Sequence, residues 1–376
     1  MGNLKVLQIS TPFLPVSPNL RYGGTERVVY LLEKELSLMG ISAGVVAPEN
    51  SSPYGRLYGT LPKDIGIDDI LDRSSKHNFS GIYGRLAHIA HSINYANNLE
   101  CDIVHLHDDN FLPFFNLIEK PALLTLHSDI DGFWNNNYTP FLNQVNYTLV
   151  AISQSQKKIY ENKGFKVSHV VYNGIDENKF EIKDKKENFL LSLGSIQPVK
   201  GQSTSIQIAK KSGLDLLIAG NIGDKNYFLQ EISPHVTHDL SMEEDKIGAY
   251  QRLSNEKRHK IVYLGPVNDR QKVPLYSNAK VFLMPIEWDE PFGLVMIEAM
   301  MSGTPVIAFN RGSVPEIVKE GTGMIVPAGN LEEMLKAISE IEKIDSQECR
   351  NIAVSNFGKG KMVENYVQVY NSLVNK

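Results

Sequence analysis

The stretch Val281–Pro305, VFLMPIEWDEPFGLVMIEAMMSGTP, contains the pattern that decides the fold. A short apolar run that ends at Pro285 predicts a buried strand, and a second apolar run that begins near Phe292 predicts a helix. The loop between them carries three acidic residues, Glu287, Asp289 and Glu290. Strand, loop and helix in this order form the unit from which parallel sheets covered by helices are built.

The same alternation continues on both sides of this stretch. Short apolar runs predict buried strands at Val6–Ile9, Ala43–Ala47, Ile103–Leu106, Leu123–Leu126, Val167–Val171, Phe189–Leu193, Leu216–Ala219, Ile261–Leu264, Val281–Met284 and Val306–Phe309. Helical periodicity is clear in Glu26–Met39 and Lys361–Val374 and weaker in residues 82–98. The chain is therefore predicted to be an α/β protein with parallel sheets.

The length of 376 residues favours two domains, each with its own core. A polar, charged segment, Tyr172–Asn188, interrupts the alternation, which restarts at Phe189. The sequence thus predicts a first domain over residues 1–170, a linker over 171–187, a second domain over 188–358 and a closing helix over 359–376. Two doubly wound α/β domains that face each other across a cleft are the expected architecture.

Composition excludes several classes of protein. The net charge of -5 argues against a nucleic-acid-binding protein, since such proteins usually carry a basic face. No apolar run approaches the roughly 20 residues of a membrane-spanning helix, and the N-terminus lacks the apolar core of a signal peptide. The two cysteines cannot form a disulfide framework. We therefore expect a cytoplasmic protein, while peripheral contact of a local basic patch with a membrane stays open.

The acidic loop and the helix after it also predict a binding site. Backbone amides of a first helical turn have no partner within the helix, so Phe292, Gly293 and Leu294 form a candidate anion site. Glu298 lies about two turns beyond Glu290, and a carboxylate accepts hydrogen bonds from a ribose diol. The alternative is that Glu290 stabilises the helix dipole and that Glu298 is a surface glutamate.

Two glycine-bearing loops each precede a helix. In Leu193–Gly201, LGSIQPVKG, Lys200 is expected near a helix N-terminus. There a phosphate is stabilised both by the lysine charge and by the unpaired backbone amides, although lysine is also common on surfaces. In RYGGTER, the pair Gly23 and Gly24 opens a helix, with Thr25 predicted as its N-cap. By itself a glycine pair before a helix indicates only a turn.

Three histidines and one acidic pair are further candidates. His127 follows the Leu123–Leu126 strand, where ligands of open α/β sheets collect, although a lone histidine is more often structural. His105 and His107 alternate along one strand, which favours a packed strand over a metal site. Asp129–Asp131 has the pattern of a DxD metal motif, but two carboxylates are too few ligands for a hard cation.

Taken together, these motifs resemble the retaining family 4 glycosyltransferases with the GT-B fold, the glycosyl transferases group 1. The sequence EPFGL followed by Glu298 is similar to their E-x7-E signature, and RYGGTERVV, TLH, VVYNGID and LGSIQPVKG occur in the family's order. The resemblance covers essentially the whole chain. It implies that residues 1–170 form the acceptor side, that residues 188–358 bind the nucleotide sugar, and that the closing helix crosses back onto the first domain.

The resemblance also implies roles for individual residues on the donor side. Glu298 would hold the ribose hydroxyls and Glu290 the transferred sugar, with the amides of Phe292–Leu294 on its hydroxyls or phosphate. Lys200 would neutralise the diphosphate. The reaction expected of such a site is a retaining, hexosyltransferase-type transfer by front-face displacement, with no cofactor and no metal ion.

On the acceptor side, the resemblance implies that Gly23 and Gly24 let their loop approach the phosphates and the acceptor. His127 would hydrogen-bond the donor sugar and help to stabilise positive charge that develops on it. The predicted partners are a nucleotide sugar and a sugar, lipid-linked or small-molecule acceptor. The stretch Asp131–Tyr138, DGFWNNNY, either binds that acceptor or is an ordinary exposed loop.

One position departs from the family pattern. Ser195 stands where the family usually has an arginine, five residues before Lys200. A lost charge-assisted contact removes about 1.5–3 kcal/mol, and Arg311 is the hypothesised replacement. A donor-binding protein that has lost turnover is therefore the alternative to the enzyme. An NAD-linked oxidoreductase explains two Rossmann-like halves but lacks the glycine fingerprint.

Overall fold

The computed structural model describes residues 4–20, 23–66, 78–128, 147–183, 185–253, 255–256 and 258–374, with backbone only at 78–80. The chain forms two compact units. One combines Met1–Gly174 with Lys359–Lys376, and the other is Ile175–Gly358. The first boundary falls inside the segment 171–187 that the sequence predicts as a linker. We call the two parts the N-terminal and the C-terminal unit.

The N-terminal unit is built on a seven-stranded parallel sheet with the order β3-β2-β1-β4-β5-β6-β7. Its strands are β1 (Val6–Ile9), β2 (Ser42–Ala47), β3 (Leu57–Gly59), β4 (Ile103–Leu106), β5 (Ala122–Leu126), β6 (Leu149–Ala151) and β7 (Val167–Val170). The order in which the chain adds strands reverses between β1 and β4: β2 and β3 lie on one side of β1, and β4 to β7 lie on the other. Loops that follow these two strands therefore flank a topological switch point, where open α/β sheets bind ligands.

Helices pack against this sheet, which explains why its central strands, β1, β4 and β5, are buried and nearly continuous apolar runs. They are α1 (Gly24–Leu38), α2 (Asn78–Asn98), a 3-10 helix (Asp109–Leu117) and α3 (Gln154–Asn162). The N-cap of α1 is Gly23, so the prediction of Thr25 as the cap is wrong. Gly23 has a φ of 110°, a conformation that favours glycine and is not helical. The helix therefore begins directly after Gly23, at Gly24, and Thr25 lies inside its first turn.

The C-terminal unit repeats the architecture with the strand order β10-β11-β9-β8-β12-β13-β14, again parallel throughout. Its strands are β8 (Phe189–Leu193), β9 (Asp215–Ala219), β10 (His238–Asp239), β11 (Ile261–Gly265), β12 (Val281–Met284), β13 (Val306–Phe309) and β14 (Gly323–Val326). Here β8 and β12 are neighbours at the switch point. Side chains that are 90 positions apart in the sequence are thereby brought together.

The helices of the C-terminal unit are α4 (Gln202–Ser212), α5 (Lys225–Tyr227), α6 (Lys246–Gln251), α7 (Asp269–Asn278), α8 (Leu294–Met301), α9 (Val314–Ile317), α10 (Leu331–Glu340) and α11 (Ser346–Phe357). A π-helical turn (Phe228–Ile232) continues α5, and 3-10 turns lie at Glu177–Lys179, Pro198–Lys200, Ser233–His235 and Ile341–Lys343. Within the described ranges, no helix combines the length and the hydropathy needed to cross a bilayer.

The last helix, α12 (Lys359–Val374), belongs to the N-terminal unit although it follows α11 in the chain. The Lys359 ammonium lies 3.3 Å from the Glu35 carboxylate on α1. The Met362 sulfur accepts a hydrogen bond of 3.0 Å from the Gly174 amide. These contacts confirm that the closing helix crosses back onto the first domain.

Candidate functional site

The loops after β8 and β12 contact each other closely at the switch point of the C-terminal sheet. The Glu287 amide donates a hydrogen bond of 2.9 Å to the Val199 carbonyl. Gly201 has a φ of 72°, and a Cβ atom there would lie 1.9 Å from the Pro285 carbonyl oxygen. Only glycine permits this approach, which explains the glycine at the end of LGSIQPVKG.

This approach joins Lys200 and Glu290, two residues that the sequence singles out. The Lys200 ammonium lies 2.7 Å from Oε2 of Glu290, and their side chains are 22% and 12% exposed. Trp288, which the sequence analysis did not identify, donates a hydrogen bond of 3.0 Å from its indole nitrogen to the same oxygen. Its ring centroid lies 4.6 Å from the Lys200 ammonium, at a distance typical of a cation–π contact.

Glu298 lies in α8 and is buried, so the alternative of a surface glutamate is wrong. Its carboxylate accepts hydrogen bonds from the Lys272 ammonium and, at 3.0 Å, from the Tyr276 hydroxyl. Both partners come from α7, where positions four apart share one helix face. A second carboxylate, Asp269, lies 3.1 Å from Lys272. These contacts compensate for the desolvation that makes a buried carboxylate unfavourable.

The start of α8 is set by Gly293, whose φ of 81° makes it a left-handed N-cap. Phe292 is buried and its ring packs against Phe357, with 6.1 Å between centroids. The Ser313 hydroxyl donates a hydrogen bond of 2.9 Å to the Phe292 carbonyl. The first turn of α8, from Leu294 onward, thus begins beside the Glu290 loop, with its positive dipole end at that loop.

Arg311 and Ser195 lie in loops at the same sheet edge, after β13 and β8, and the Glu290 loop after β12 lies between them. The loop after β13 packs on the Glu290 loop, because the Ser313 amide donates a hydrogen bond of 2.9 Å to the Glu290 carbonyl. The Arg311 side chain is exposed, and no residue in the described part of the chain forms a salt bridge with it. The Ser195 carbonyl accepts a hydrogen bond of 3.0 Å from the Gln202 amide group, which holds the loop after β8 against α4.

His127 directly follows β5 in the N-terminal unit and is half-buried. Its Nε2 lies 2.9 Å from Nδ1 of His107, and Nε2 of His107 lies 2.6 Å from Oε1 of Gln8. Burial lowers the pKa of His127 to about 3 and the pKa of His107 well below its usual value. Both rings are therefore neutral at physiological pH.

His105 is part of the packed strand β4, as its alternation with His107 predicts. Its Nδ1 lies 2.8 Å from the Tyr370 hydroxyl, and its Nε2 lies 2.7 Å from the Thr125 hydroxyl. Both partners are protein side chains that satisfy the ring within the core. Across the described part of the chain, no three His, Cys, Asp or Glu side chains are grouped so as to hold a metal ion.

Two buried carboxylates lie at the switch point of the N-terminal sheet, and neither was predicted. Glu26 accepts a hydrogen bond of 2.5 Å from the Thr11 hydroxyl, and its Oε2 would be 2.7 Å from a Cβ atom at Gly23. Asp108 follows β4 and is 3% exposed. Burial raises the pKa of both carboxyl groups. The requirement for glycine at Gly23 therefore comes from Glu26 as well as from backbone conformation.

Several predicted candidates lie outside the described residues. These are the DxD pattern Asp129–Asp131 and the proposed acceptor stretch Asp131–Tyr138. Arg21 and Tyr22 of the RYGGTER motif are outside as well. The glycine pair of that motif, Gly23 and Gly24, is described and forms the start of α1.

Two family models match consecutive parts of this chain. Residues 22–179 match the model described as Glycosyltransferase Family 4, and residues 175–356 match the model described as Glycosyl transferases group 1. Together they extend over both units.

Curated relatives match a smaller part of this chain than the two family models together do. An uncharacterized 41.2 kDa protein from the cps region of Klebsiella pneumoniae is 31% identical over 206 residues, which are 52% of this chain and 49% of the relative. The D-inositol 3-phosphate glycosyltransferase of Mycobacteroides abscessus is 29% identical over 185 residues, 46% of this chain and 38% of the relative. The chain thus spans about half the length, or less, of these curated relatives.

Solved structures match over nearly the full length. Sucrose-phosphate synthase from Thermosynechococcus elongatus has a TM-score of 0.71 at 17% identity, with 99% of each chain covered. Anabaena Alr3699/HepE in complex with UDP-glucose has a TM-score of 0.68 at 17% identity, with 98% of this chain and 100% of that chain covered. At such identities the likeness concerns the fold alone.

Proposed function

Since the chain belongs to the glycosyl transferases group 1, the family 4 glycosyltransferases with the GT-B fold, we propose that it moves a sugar from a nucleotide-diphosphate donor to an acceptor hydroxyl. The observation that carries the proposal is the Lys200–Glu290 ion pair at the switch point of the C-terminal sheet. An ammonium group suits a phosphate and a carboxylate suits sugar hydroxyls, and this pair holds one of each side by side. A nucleotide-diphosphate sugar requires both groups, because its phosphates and its sugar ring are joined through one oxygen.

The buried carboxylate of Glu298 suits the ribose of such a donor. One of its oxygens accepts from Lys272 and the other from Tyr276. A carboxylate has about four acceptor sites, so two remain for the two hydroxyls of a ribose diol. Because Lys272 and Tyr276 hold the carboxylate in place, the ribose meets an oriented acceptor and little ordering is needed on binding.

We propose a retaining, hexosyltransferase-type reaction in which the acceptor hydroxyl attacks the anomeric carbon on the face that the diphosphate leaves. The bond between that carbon and the phosphate oxygen breaks, and its electron pair goes to the leaving phosphate. A phosphate oxygen takes the proton of the acceptor hydroxyl as the new glycosidic bond forms. Lys200 and the positive end of α8 at Gly293 stabilise the leaving charge, so this proposed reaction proceeds without a metal ion or cofactor.

His127 would contact the donor sugar as a neutral ring, because burial lowers its pKa to about 3. A neutral imidazole does not repel the positive charge that develops on the sugar as the diphosphate departs. Its contribution is therefore a hydrogen bond that positions the sugar, together with the dipole of the ring. The Gly23–Gly24 loop at the start of α1 would come close to the phosphates and the acceptor.

UDP-sugars are the first donor class to test, because Anabaena Alr3699/HepE, a protein of the same fold, was crystallised with UDP-glucose. The acceptor we propose is the hydroxyl of a sugar, of a lipid-linked sugar or of a small molecule. Binding without turnover remains the second candidate, favoured by Ser195, a neutral residue in the loop that carries Lys200. Arg311, exposed in the loop after β13, is the candidate second cation.

The donor site is tested by thermal unfolding of the protein with UDP-, GDP-, ADP- and dTDP-sugars. A ligand at a hundredfold excess over its Kd stabilises the folded protein by about 2.7 kcal/mol. We expect one nucleotide class to raise the Tm of the wild type and of Lys211→Ala, a control at an exposed position of α4. The shift should be reduced in Lys200→Ala. Equal shifts in both variants, or none in the wild type, would contradict the proposed site.

A further inference from the structure

A row of hydrogen-bonded side chains connects the closing helix to His127 within the N-terminal unit. The Gln8 amide nitrogen lies 3.4 Å from the Tyr370 hydroxyl of α12. Its carbonyl oxygen lies 2.6 Å from Nε2 of His107, and Nδ1 of His107 lies 2.9 Å from Nε2 of His127. We call these four residues, Tyr370, Gln8, His107 and His127, the relay. It connects α12 with β1 and with the ends of β4 and β5.

The chemistry of these groups determines where each proton lies. The Gln8 carbonyl oxygen can only accept, so Nε2 of His107 must carry a proton. Burial lowers the pKa of His107 well below its usual value, so the ring is neutral and its Nδ1 has a lone pair. Nε2 of His127 must then carry a proton, and this N–H group donates a hydrogen bond to Nδ1 of His107. Because His127 is neutral too, its Nδ1 is unprotonated.

The orientation of the Gln8 amide is therefore decisive, and Tyr370 is the group that favours it. The Tyr370 oxygen accepts a hydrogen bond of 3.4 Å from the Gln8 amide nitrogen and lies 2.8 Å from Nδ1 of His105, so its own proton is available for a hydrogen bond to His105. Nε2 of His105 then donates to the Thr125 hydroxyl at 2.7 Å. With its O–H group hydrogen-bonded to His105, Tyr370 offers only a lone pair to Gln8. The amide nitrogen of Gln8 faces this lone pair, and its carbonyl oxygen faces His107.

We propose that Tyr370 and Gln8 are positioning residues that fix the tautomer of His127 with its proton on Nε2, so that Nδ1 presents a lone pair to a substrate hydroxyl. His127 then accepts a hydrogen bond from the substrate instead of donating one. The substrate part of this inference rests on the proposed sugar transfer. The tautomer itself is a property of the protein without substrate and is measured separately.

The relay predicts a role for the closing helix beyond packing. Tyr370 is fully buried and lies 362 positions from Gln8 in the sequence. Truncation of its hydroxyl leaves the ring and the packing of α12 in place. What changes is the group that faces the Gln8 amide nitrogen, and with it the energetic preference for one amide orientation.

The test is the pattern of two-bond ¹⁵N–¹H couplings of histidine rings in full-length protein labelled at histidine, recorded near pH 7. The His127 signals are assigned by their loss in His127→Gln. We expect His127 in the wild type to be protonated at Nε2 and unprotonated at Nδ1. In Tyr370→Phe and in Gln8→Leu we expect a mixture of both tautomers. A wild-type ring protonated at Nδ1 would overturn the proposal.

Tyr366→Phe is the matched control on the same helix. The Tyr366 hydroxyl lies 3.0 Å from Thr125 and forms no hydrogen bond with Gln8 among the described contacts. This variant should keep the His127 tautomer of the wild type, and equal changes in Tyr366→Phe and Tyr370→Phe would also overturn the relay. With an active donor and acceptor, Tyr370→Phe should lower kcat up to tenfold with KM for the acceptor unchanged. If no transfer is found but the tautomers follow this pattern, the relay stands and the proposed function fails.

Discussion

The Lys200 ammonium lies 2.7 Å from the Glu290 carboxylate, although the two residues are 90 positions apart in the sequence. They are joined because β8 and β12 are neighbours, so that the loops after these strands share one edge of the sheet. In the absence of donor, each group is the partner of the other. A diphosphate must therefore compete with Glu290 for Lys200, and a sugar must compete with Lys200 for Glu290.

Replacement of Glu290 should separate binding from turnover. In Glu290→Gln, Lys200 loses its competing anion, so we expect the nucleoside diphosphate to bind as tightly as in the wild type or more tightly. Transfer loses a charged contact to the reacting sugar, so kcat should fall about 10²–10³-fold. Calorimetry with the diphosphate and steady-state kinetics measure the two effects. Weaker diphosphate binding with an unchanged kcat would contradict this role.

The Lys272–Glu298 pair should behave as a buried ion pair. Lys272→Met leaves the Glu298 carboxylate without its cation, and we expect a loss of about 3–5 kcal/mol in the free energy of unfolding of the C-terminal unit. In the double variant Lys272→Met/Glu298→Leu most of that loss should be recovered, because no unpaired charge remains. Urea unfolding of the wild type, of both single variants (Lys272→Met and Glu298→Leu) and of the double variant checks this. Additive losses in the double variant would show that the two side chains do not act as a pair.

Most of the architecture is predictable because strands buried on both faces are continuous apolar runs. The four strands that the sequence did not predict are short or partly exposed. The strands β3 (Leu57–Gly59) and β6 (Leu149–Ala151) have three residues, β10 (His238–Asp239) has no apolar residue, and β14 (Gly323–Val326) is partly exposed. Their pairing depends on a neighbouring strand that local sequence does not reveal.

The candidate site is predictable where a residue sits in a recognisable loop or, like Glu298, at a fixed spacing from one. Lys200 and Glu290 follow strands, so sequence places them at a sheet edge. Tyr276 acquires its partner Glu298, 22 positions away, through a tertiary contact. Trp288 bonds Glu290 two positions on, but its contact with Lys200 depends on the approach of the two loops. Gln8 lies within an apolar strand, VLQI, and its link to a tyrosine near the C-terminus depends on the return of the closing helix.

Gly201 should be far less tolerant of substitution than a glycine of the same conformation. Gly213 has a φ of 71°, and a Cβ atom there would meet nothing within 4 Å, whereas a Cβ atom at Gly201 would meet the Pro285 carbonyl. Gly213→Ala therefore measures backbone strain alone, about 1 kcal/mol. Gly201→Ala should be more destabilising by at least about 1 kcal/mol and should weaken donor binding. Equal unfolding free energies would contradict the close approach of the two loops.

Acid should destabilise the N-terminal unit, in part through His88. Its Nδ1 lies 2.8 Å from the Thr60 hydroxyl, its Nε2 lies 3.0 Å from the Ser10 carbonyl, and burial lowers its pKa to about 4. The unfolded chain binds a proton near pH 6.5 and the folded chain only near pH 4. The stability that the neutral His88 ring contributes is therefore fully present above pH 6.5 and is lost as the pH drops from 6.5 to 4.

His88→Gln removes this contribution. Between pH 6 and pH 5 we expect its unfolding free energy to fall less steeply than that of the wild type, by about 1 kcal/mol per pH unit. The buried carboxyl groups of Glu26 and Asp108 are the same in both proteins and do not affect the difference. Urea unfolding at both pH values measures it. Parallel pH profiles would mean that His88 is not held neutral by burial.

We expect this chain to transfer a sugar with retention of anomeric configuration. The most direct measurement combines release of nucleoside diphosphate with NMR analysis of the product anomer, using the donor that stabilises the protein and a panel of hydroxyl acceptors. We predict acceptor-dependent release, an α-linked product from an α-linked donor, and a loss in Lys200→Ala that is absent in Lys211→Ala. An inverted product would contradict a retaining reaction, and a donor that binds without any acceptor-dependent release would contradict sugar transfer.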